Sequence, residues 1–198
     1  ANRASYPKTG TTATDTIKNT SGTLNGATFS NINSGVFNFD GTDDSISLGN
    51  ASNTQPGAQF TFSAWIYPTS NVSYSAILGA ASTNQLYIGI DSSSNTFTVR
   101  KLNVANIISY STLPSDSTWT NICVTRDSDS LITLYYNAIS KSTATDSIDF
   151  TDGNNFIGND GSNNADWNGN IGPINYYNRA LSSNEVLHNY NALKSRFE

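Results

Sequence analysis

The carboxylates and a lone histidine are the side chains with which this 198-residue chain could do acid–base chemistry. Hydrolysing a glycosidic bond with retention needs two carboxylates on alternate positions of a strand, facing one cleft roughly 5 Å apart as nucleophile and acid. The only glutamates are Glu185, in a helix-start pattern, and Glu198, the last residue, and the chain has no E-x-D-x-E or D-x-D-x-E run. Asp127 and Asp129 do alternate, but the flanking Ser128 and Ser130 make that stretch a solvated turn rather than an apolar-backed strand. His188 follows Leu187 with no serine or cysteine in an activating context, and reads as a surface or interface histidine. Cys123, between Ile122 and Val124, reads as a buried and inert thiol, and a single cysteine excludes an internal disulfide framework. These patterns predict a protein that does not catalyse.

Two segments are better suited to binding a cation. Asp40-Gly41-Thr42-Asp43-Asp44 and Asn159-Asp160-Gly161-Ser162-Asn163-Asn164-Ala165-Asp166 are rich in the oxygen donors that calcium takes six to eight at a time. Tight turns favour the same residues without any metal, so both accounts stand at this point. A third chemistry is sugar recognition, which combines an aromatic platform for the apolar ring face with Asn and Asp for the hydroxyls. Tyr67, Tyr74, Trp119 and Trp167 are the aromatic candidates.

Composition narrows the partners. The net charge is −5 and the pI about 4.6, with basic residues scattered and Arg100-Lys101 the one adjacent pair. Binding to a phosphate backbone depends on clustered Lys and Arg, so nucleic acid is not an expected partner. No run reaches the length of a membrane-spanning helix, and membrane insertion is not expected. Charged residues make up 13% of the chain, about half the usual share, and Ser, Thr and Asn fill the difference. A polar, weakly charged surface of this kind suits an extracellular or virion exterior. Methionine is absent, so Ala1 is read as a processed start, a cloning boundary or the cut end of a longer polypeptide.

The elements that must position these groups are mostly strands. Phe60 to Tyr67 alternates cleanly, with Phe60, Phe62, Ala64 and Ile66 on one face and Thr61, Ser63, Trp65 and Tyr67 on the other, and Pro68 closes it. Further strands are predicted at 35–39, 45–48, 75–78, 85–90, 96–100, 104–110, 118–125, 131–137 and 155–158. The first thirty residues read as turn-rich, with Asp15, Asn19, Ser21-Gly22 and Asn25-Gly26 as turn signals. Near the end, Ile171, Ile174 and Tyr176 form a short strand interrupted at Gly172-Pro173, where proline withholds a donor. Ser182 and Glu185 stand in the S-x-x-E relation of a capping box, which starts a helix just after Ser182. Val186, Leu187, Tyr190 and Leu193 form its apolar stripe. Many short strands separated by Gly, Asn and Asp read as one antiparallel sandwich spanning 1–198, with this terminal helix as the only helix.

Several of these blocks carry a resemblance. The segment G-N-I-G-P-I-N-Y-Y-N-R-A-L-S-S-N-E-V from Gly169 to Val186, with Asn178 to Ser182 as its most specific part, resembles the close of laminin-G-like jelly-roll domains of the concanavalin A-like lectin/glucanase superfamily. G-V-F-N-F-D-G-T-D-D-S-I-S-L, F-T-F-S-A-W-I-Y-P and W-T-N-I-C-V-T-R followed by L-I-T-L-Y-Y-N are similar to that family's internal hairpins and occur in its order. The resemblance implies an all-β, antiparallel jelly-roll sandwich with one short C-terminal helix. It also implies a structural Ca2+ where the two acidic loops approach, carried here by Asp40, Asp43 and Asp166, with Asp160 as a further candidate. Gly172 and Pro173 depart from the acidic pair that many relatives have there, removing acidic groups near one wall of that site. By the same resemblance Trp119 occupies a framework position and Trp167 a packing position, each a rival to a role in sugar binding.

The ending N-Y-N-A-L-K-S-R-F resembles tail, fibre and capsid-associated proteins of bacteriophages. The expectation is a non-catalytic exterior structural or adhesion module of a virion, with host-surface glycans or neighbouring virion subunits as partners, and a homo-oligomer is compatible with that role. The rival expectation is a carbohydrate-binding module of a secreted bacterial protein.

Overall fold

The computed structural model describes residues 10–14, 21–50, 55–70, 74–162 and 164–198. Asp15, Asn19 and Asn163 lie outside the described residues. In chain order the strands are β1 (Thr12–Thr14), β2 (Ser21–Asn25), β3 (Thr28–Ser30), β4 (Val36–Asp40), β5 (Ser45–Gly49), β6 (Phe60–Pro68), β7 (Ser75–Ala80) and β8 (Leu86–Asp91). They continue with β9 (Thr96–Lys101), β10 (Ala105–Tyr110), β11 (Thr120–Arg126), β12 (Leu131–Tyr136), β13 (Ile139–Thr145), β14 (Asn155–Ile157) and β15 (Asn168–Tyr177), and the chain closes in helix α1 (Ser183–Lys194). One sheet has the order β1-β2-β5-β14-β7-β8-β9-β10 and the other β13-β12-β11-β6-β15-β4-β3. The ladders in both sheets are antiparallel.

The two sheets form a sandwich around one large apolar cluster. From β6, Phe60, Phe62, Ala64 and Ile66 are all at most 1% exposed and meet Leu86, Ile88 and Ile90 of β8 and Phe97 and Val99 of β9 within it. This is the alternation expected from the sequence, because successive side chains of a strand leave opposite faces. Burial of side chains of this size contributes roughly 1.5–3 kcal/mol each before the entropy of ordering them is subtracted.

The opposite face of β6 is covered as well, by α1 and the residues after it. The Phe197 ring stacks on Trp65 with centroids 4.5 Å apart, Tyr190 stacks on the same indole at 5.5 Å, and Val36 completes the cluster. Nearby, Val186 and Leu181 pack on Cys123 and Tyr135, and burial pushes the Cys123 thiol up to about 12. Ser182 caps α1 with both halves of the capping box in place. Glu185 also takes two hydrogen bonds from Arg179, at 3.0 and 2.7 Å. The Arg179 side chain and the Ser182 backbone and hydroxyl hold the Glu185 carboxyl down at about 2.

Three details differ from the sequence reading. Leu187 is 46% exposed, because the seam of α1 runs Val186–Tyr190–Leu193 and Leu187 lies one residue, about 100°, off it. The strand at Gly172-Pro173 is not interrupted. β15 runs through it and absorbs the pair as a shift of register against β6 between Ile171 and Ile174. A Cβ on Gly172 would come 3.1 Å from the Phe197 ring, so glycine leaves room there for the chain end. Finally, β1, β2, β3 and β13 are strands where none was predicted.

Candidate functional site

Two features of the fold gather functional groups, an acidic corner and a polar cleft. The corner begins where β4 ends at Asp40 and the chain turns through Gly41, whose φ of +84° is left-handed. The turn returns Asp43 and Asp44 beside Asp40, with ligand oxygens of the three within 4.8 Å of one another. The backbone N–H of Asp40 donates to Asp44 at 2.8 Å, and that of Thr42 donates to the Asp40 carboxylate at 2.9 Å. Asp44 is 8% exposed, and a Cβ on Gly26 would sit 2.0 Å from its Oδ1, so the glycine makes space for this carboxylate.

The second acidic loop meets the first at its far end. Asp166 precedes β15, which pairs with β4 through Asn168 opposite Asp40. Burial raises the Asp166 carboxyl, a hydrogen bond from the Asn159 amide opposes the rise, and the charges of Asp160, Asp43 and Asp40 add to it. Asp44 is raised likewise by burial first, against its backbone bond from Asp40, with the charges of Asp40 and Asp43 contributing. Asp40, Asp43 and Asp44, with oxygens this close together, form a donor set that fits a calcium ion. Asp40 and Asp43 stand beside Asp44 in this corner, whereas Asp166 lies outside that trio, bonded to Asn159 and near enough for the charges of Asp43 and Asp40 to act on it. Asp44 belongs to the trio although its position in the turn gave no separate sign of that role. Asp160 does different work: its Oδ1 accepts from the Ser162 N–H at 2.9 Å and hydroxyl at 2.7 Å, and from the Asn164 N–H at 3.5 Å, closing its own loop.

The cleft lies on the outer face of the eight-stranded sheet, between β7–β9 and the loop that carries Asp160. Its volume is about 370 Å³, and Tyr74, Ala80, Arg100, Leu102, Asn103, Asp160, Ser162 and Asn164 are among the residues that line it. The loop can lie close to β7 because the strand is small there. A Cβ on Gly79 would fall 1.8 Å from the Asn159 carbonyl oxygen, and the Ala76 N–H donates to Ala165 at 2.9 Å. Tyr87 on β8 is opposite Arg100 on β9 in the ladder. The Tyr74 ring stacks on Tyr87 with centroids 5.5 Å apart, and the Arg100 guanidinium carbon lies 4.8 and 4.3 Å from the two ring centroids. Burial lowers the Arg100 pKa, while the Asp160 charge acts in the opposite direction.

The other aromatic candidates are dispersed. Tyr67 and Trp119, centroids 5.3 Å apart, join the cluster under α1, where Trp119 also contacts Phe197 at 4.7 Å. With its amide turned to satisfy both neighbours, Asn33 accepts from the Trp119 indole N–H at 2.7 Å and donates to the Arg196 carbonyl at 3.1 Å. Trp167 is 1% exposed within the main core, so a buried ring stands where a sugar platform was considered. Of the four, Tyr74 alone lines the cleft. Arg100 shows no sign of a binding role in the sequence, where it is only one half of an adjacent basic pair with Lys101.

The residues weighed for catalysis have other employment. Asp127 accepts from the Asp129 and Leu131 N–H groups at 3.0 Å each and so fixes the β11–β12 turn. Glu185 serves the helix cap and His188 is exposed on α1.

A family model described as the concanavalin A-like lectin/glucanases superfamily matches residues 40–187, and the chain belongs to that family. No curated protein matches in sequence. Solved structures share the fold at low identity. Domain 4 of AbnA, an extracellular arabinanase from Geobacillus stearothermophilus solved with arabinotriose, has a TM-score of 0.71 at 16% identity over 88% of this chain and 91% of that one. The heptameric SAP-like pentraxin of Limulus polyphemus has a TM-score of 0.58 at 18% identity, over 76% and 78%. Botulinum neurotoxin type C, whose cell entry depends on two ganglioside molecules, has a TM-score of 0.71 at 16% identity, over 94% of this chain and 50% of that one.

Proposed function

We propose that this domain is a non-catalytic glycan-binding module that works outside the cell. The observation that carries the reading is the cleft beside β7–β9, where a half-buried tyrosine and an arginine meet Asn103, Asp160, Ser162 and Asn164. An aromatic ring for a sugar face, ringed by hydroxyl, amide and carboxylate groups, is the chemistry of saccharide recognition. Fold relatives, one solved with arabinotriose and one that depends on gangliosides for cell entry, lend support from the same architecture. We propose further that the acidic corner holds a structural Ca2+ on Asp40, Asp43, Asp44 and Asp166, which would relieve the repulsion among them and tie the β4–β5 turn to the approach to β15.

Two settings suit such a module. The C-terminal resemblance to phage proteins supports a virion exterior, with host-surface glycans or neighbouring subunits as partners. The likeness to a domain of an extracellular arabinanase supports a binding module of a secreted bacterial protein. A virion component is expected to co-purify with particles and to assemble, whereas a free module is expected to be monomeric.

Glycan-array binding of the wild type and of Tyr74→Ala tests the function. The expectation is retention of a defined set of saccharides, with binding at least tenfold weaker in the variant, and no release of reducing sugar from any of them. Absence of binding to every saccharide, or measurable hydrolysis, contradicts the reading.

A further inference from the structure

Resting on the glycan-binding reading, we infer that the cleft selects acidic saccharides, with the sugar's anionic group seated on Arg100. An arginine carries five N–H donors and ordinarily spends them on acceptors. The Arg100 side chain makes neither a hydrogen bond nor an ion pair among the described residues, and its Nε is buried without a partner. The guanidinium is nonetheless held in place, over the rings of Tyr74 and Tyr87. Ring contact fixes its plane and leaves its edge for a ligand. A flat, weakly hydrated fork of this kind matches a carboxylate or sulfate through paired hydrogen bonds.

Asp160 explains why the ligand is a sugar acid rather than a bare anion. It lines the same cleft and its negative charge would disfavour inorganic sulfate or phosphate. Its Oδ1 is occupied by Ser162 and Asn164, while its second oxygen accepts no hydrogen bond among the described residues. That oxygen is an acceptor for a hydroxyl. A molecule that offers hydroxyls and an anionic group on one ring satisfies both residues at once.

Calorimetry with matched ligands tests the inference. The pairs are trigalacturonate against its methyl ester, 3′-sialyllactose against lactose, and 3′-sulfolactose against lactose, which separate carboxylate from sulfate. At least one acidic member is expected to bind ten times more tightly than its neutral partner. Arg100→Gln is expected to erase that difference, and Arg100→Lys, which keeps the charge but not the fork, to retain only part of it. Unchanged melting temperatures in the variants exclude misfolding as the cause. Equal binding of acidic and neutral members, lost in Tyr74→Ala but unaffected by Arg100→Gln, would overturn the preference for acids and leave the glycan reading intact. An acidic preference that survives Arg100→Gln would also overturn it. Binding of none of these ligands, nor of any array saccharide, would remove both.

Discussion

Thr61 shows how much one side chain of the alternating strand can decide. It is fully buried on the α1 side of β6, where its hydroxyl donates to the Arg179 carbonyl at 2.9 Å and accepts from the Leu181 N–H at 2.9 Å. Those two bonds fasten the Asn178-to-Ser182 segment to the sheet, which places the cap of α1 over Cys123. Thr61→Val keeps the shape and the β-branch but leaves the buried Leu181 N–H and the part-buried Arg179 carbonyl without their partner. A loss of about 1–3 kcal/mol is expected, which denaturant titration would read as a lower midpoint at unchanged slope. An unchanged midpoint would mean that packing alone seats the helix. Position 61 was legible as outward-facing, but its partners were not, since they lie more than a hundred residues away and no local pattern announces them.

At the scale of elements, what could be read from the chain tracks how strongly each element is patterned. β6 and the capped start of α1 were legible because a period of two and a capping box are both written within a few residues. β13 was not, because Ile139–Thr145 is an exposed, polar strand at the edge of its sheet, with pairing to β12 on one side and no burial pattern of its own. β1 and β3 escaped for the same reason, each only three residues long. The Arg100-Lys101 pair likewise looked like ordinary adjacency, yet the strand sends the two to opposite sides. Arg100 reaches the cleft, whereas Lys101 is buried against Asp146 at 2.5 Å and the Ile148 carbonyl at 2.6 Å. The acidic corner also belongs to this scale, because it joins the turn between β4 and β5 to the lead-in of β15. If Ca2+ bridges them, adding 1 mM CaCl2 after chelation should raise the melting temperature by several degrees, since a ligand at 100 times its Kd adds about 2.7 kcal/mol. Asp40→Asn is expected to abolish most of that rise. A melting curve indifferent to chelator and calcium would contradict a structural ion.

For the molecule as a whole, the sandwich provides two outer faces with different uses. The face of the seven-stranded sheet is covered by α1, and its aromatic residues, Trp65, Tyr67, Trp119, Tyr190 and Phe197, are engaged with one another. The face of the eight-stranded sheet keeps a cleft, lined from Tyr74 before β7, Arg100 on β9 and the loop before β15. The cleft was the least legible feature of the chain, because these groups are distant in sequence and only the strand order β7-β8-β9 sets them side by side. Backbone NMR of the isotopically labelled protein, titrated with a saccharide it binds, measures which face is used. Perturbations are predicted to concentrate at Tyr74, Arg100, Asn103, Asp160, Gly161, Ser162 and Asn164, and to leave Tyr67 and Trp119 unmoved. Perturbations centred on Tyr67, Trp119 and α1 would contradict the assignment of glycan binding to this cleft.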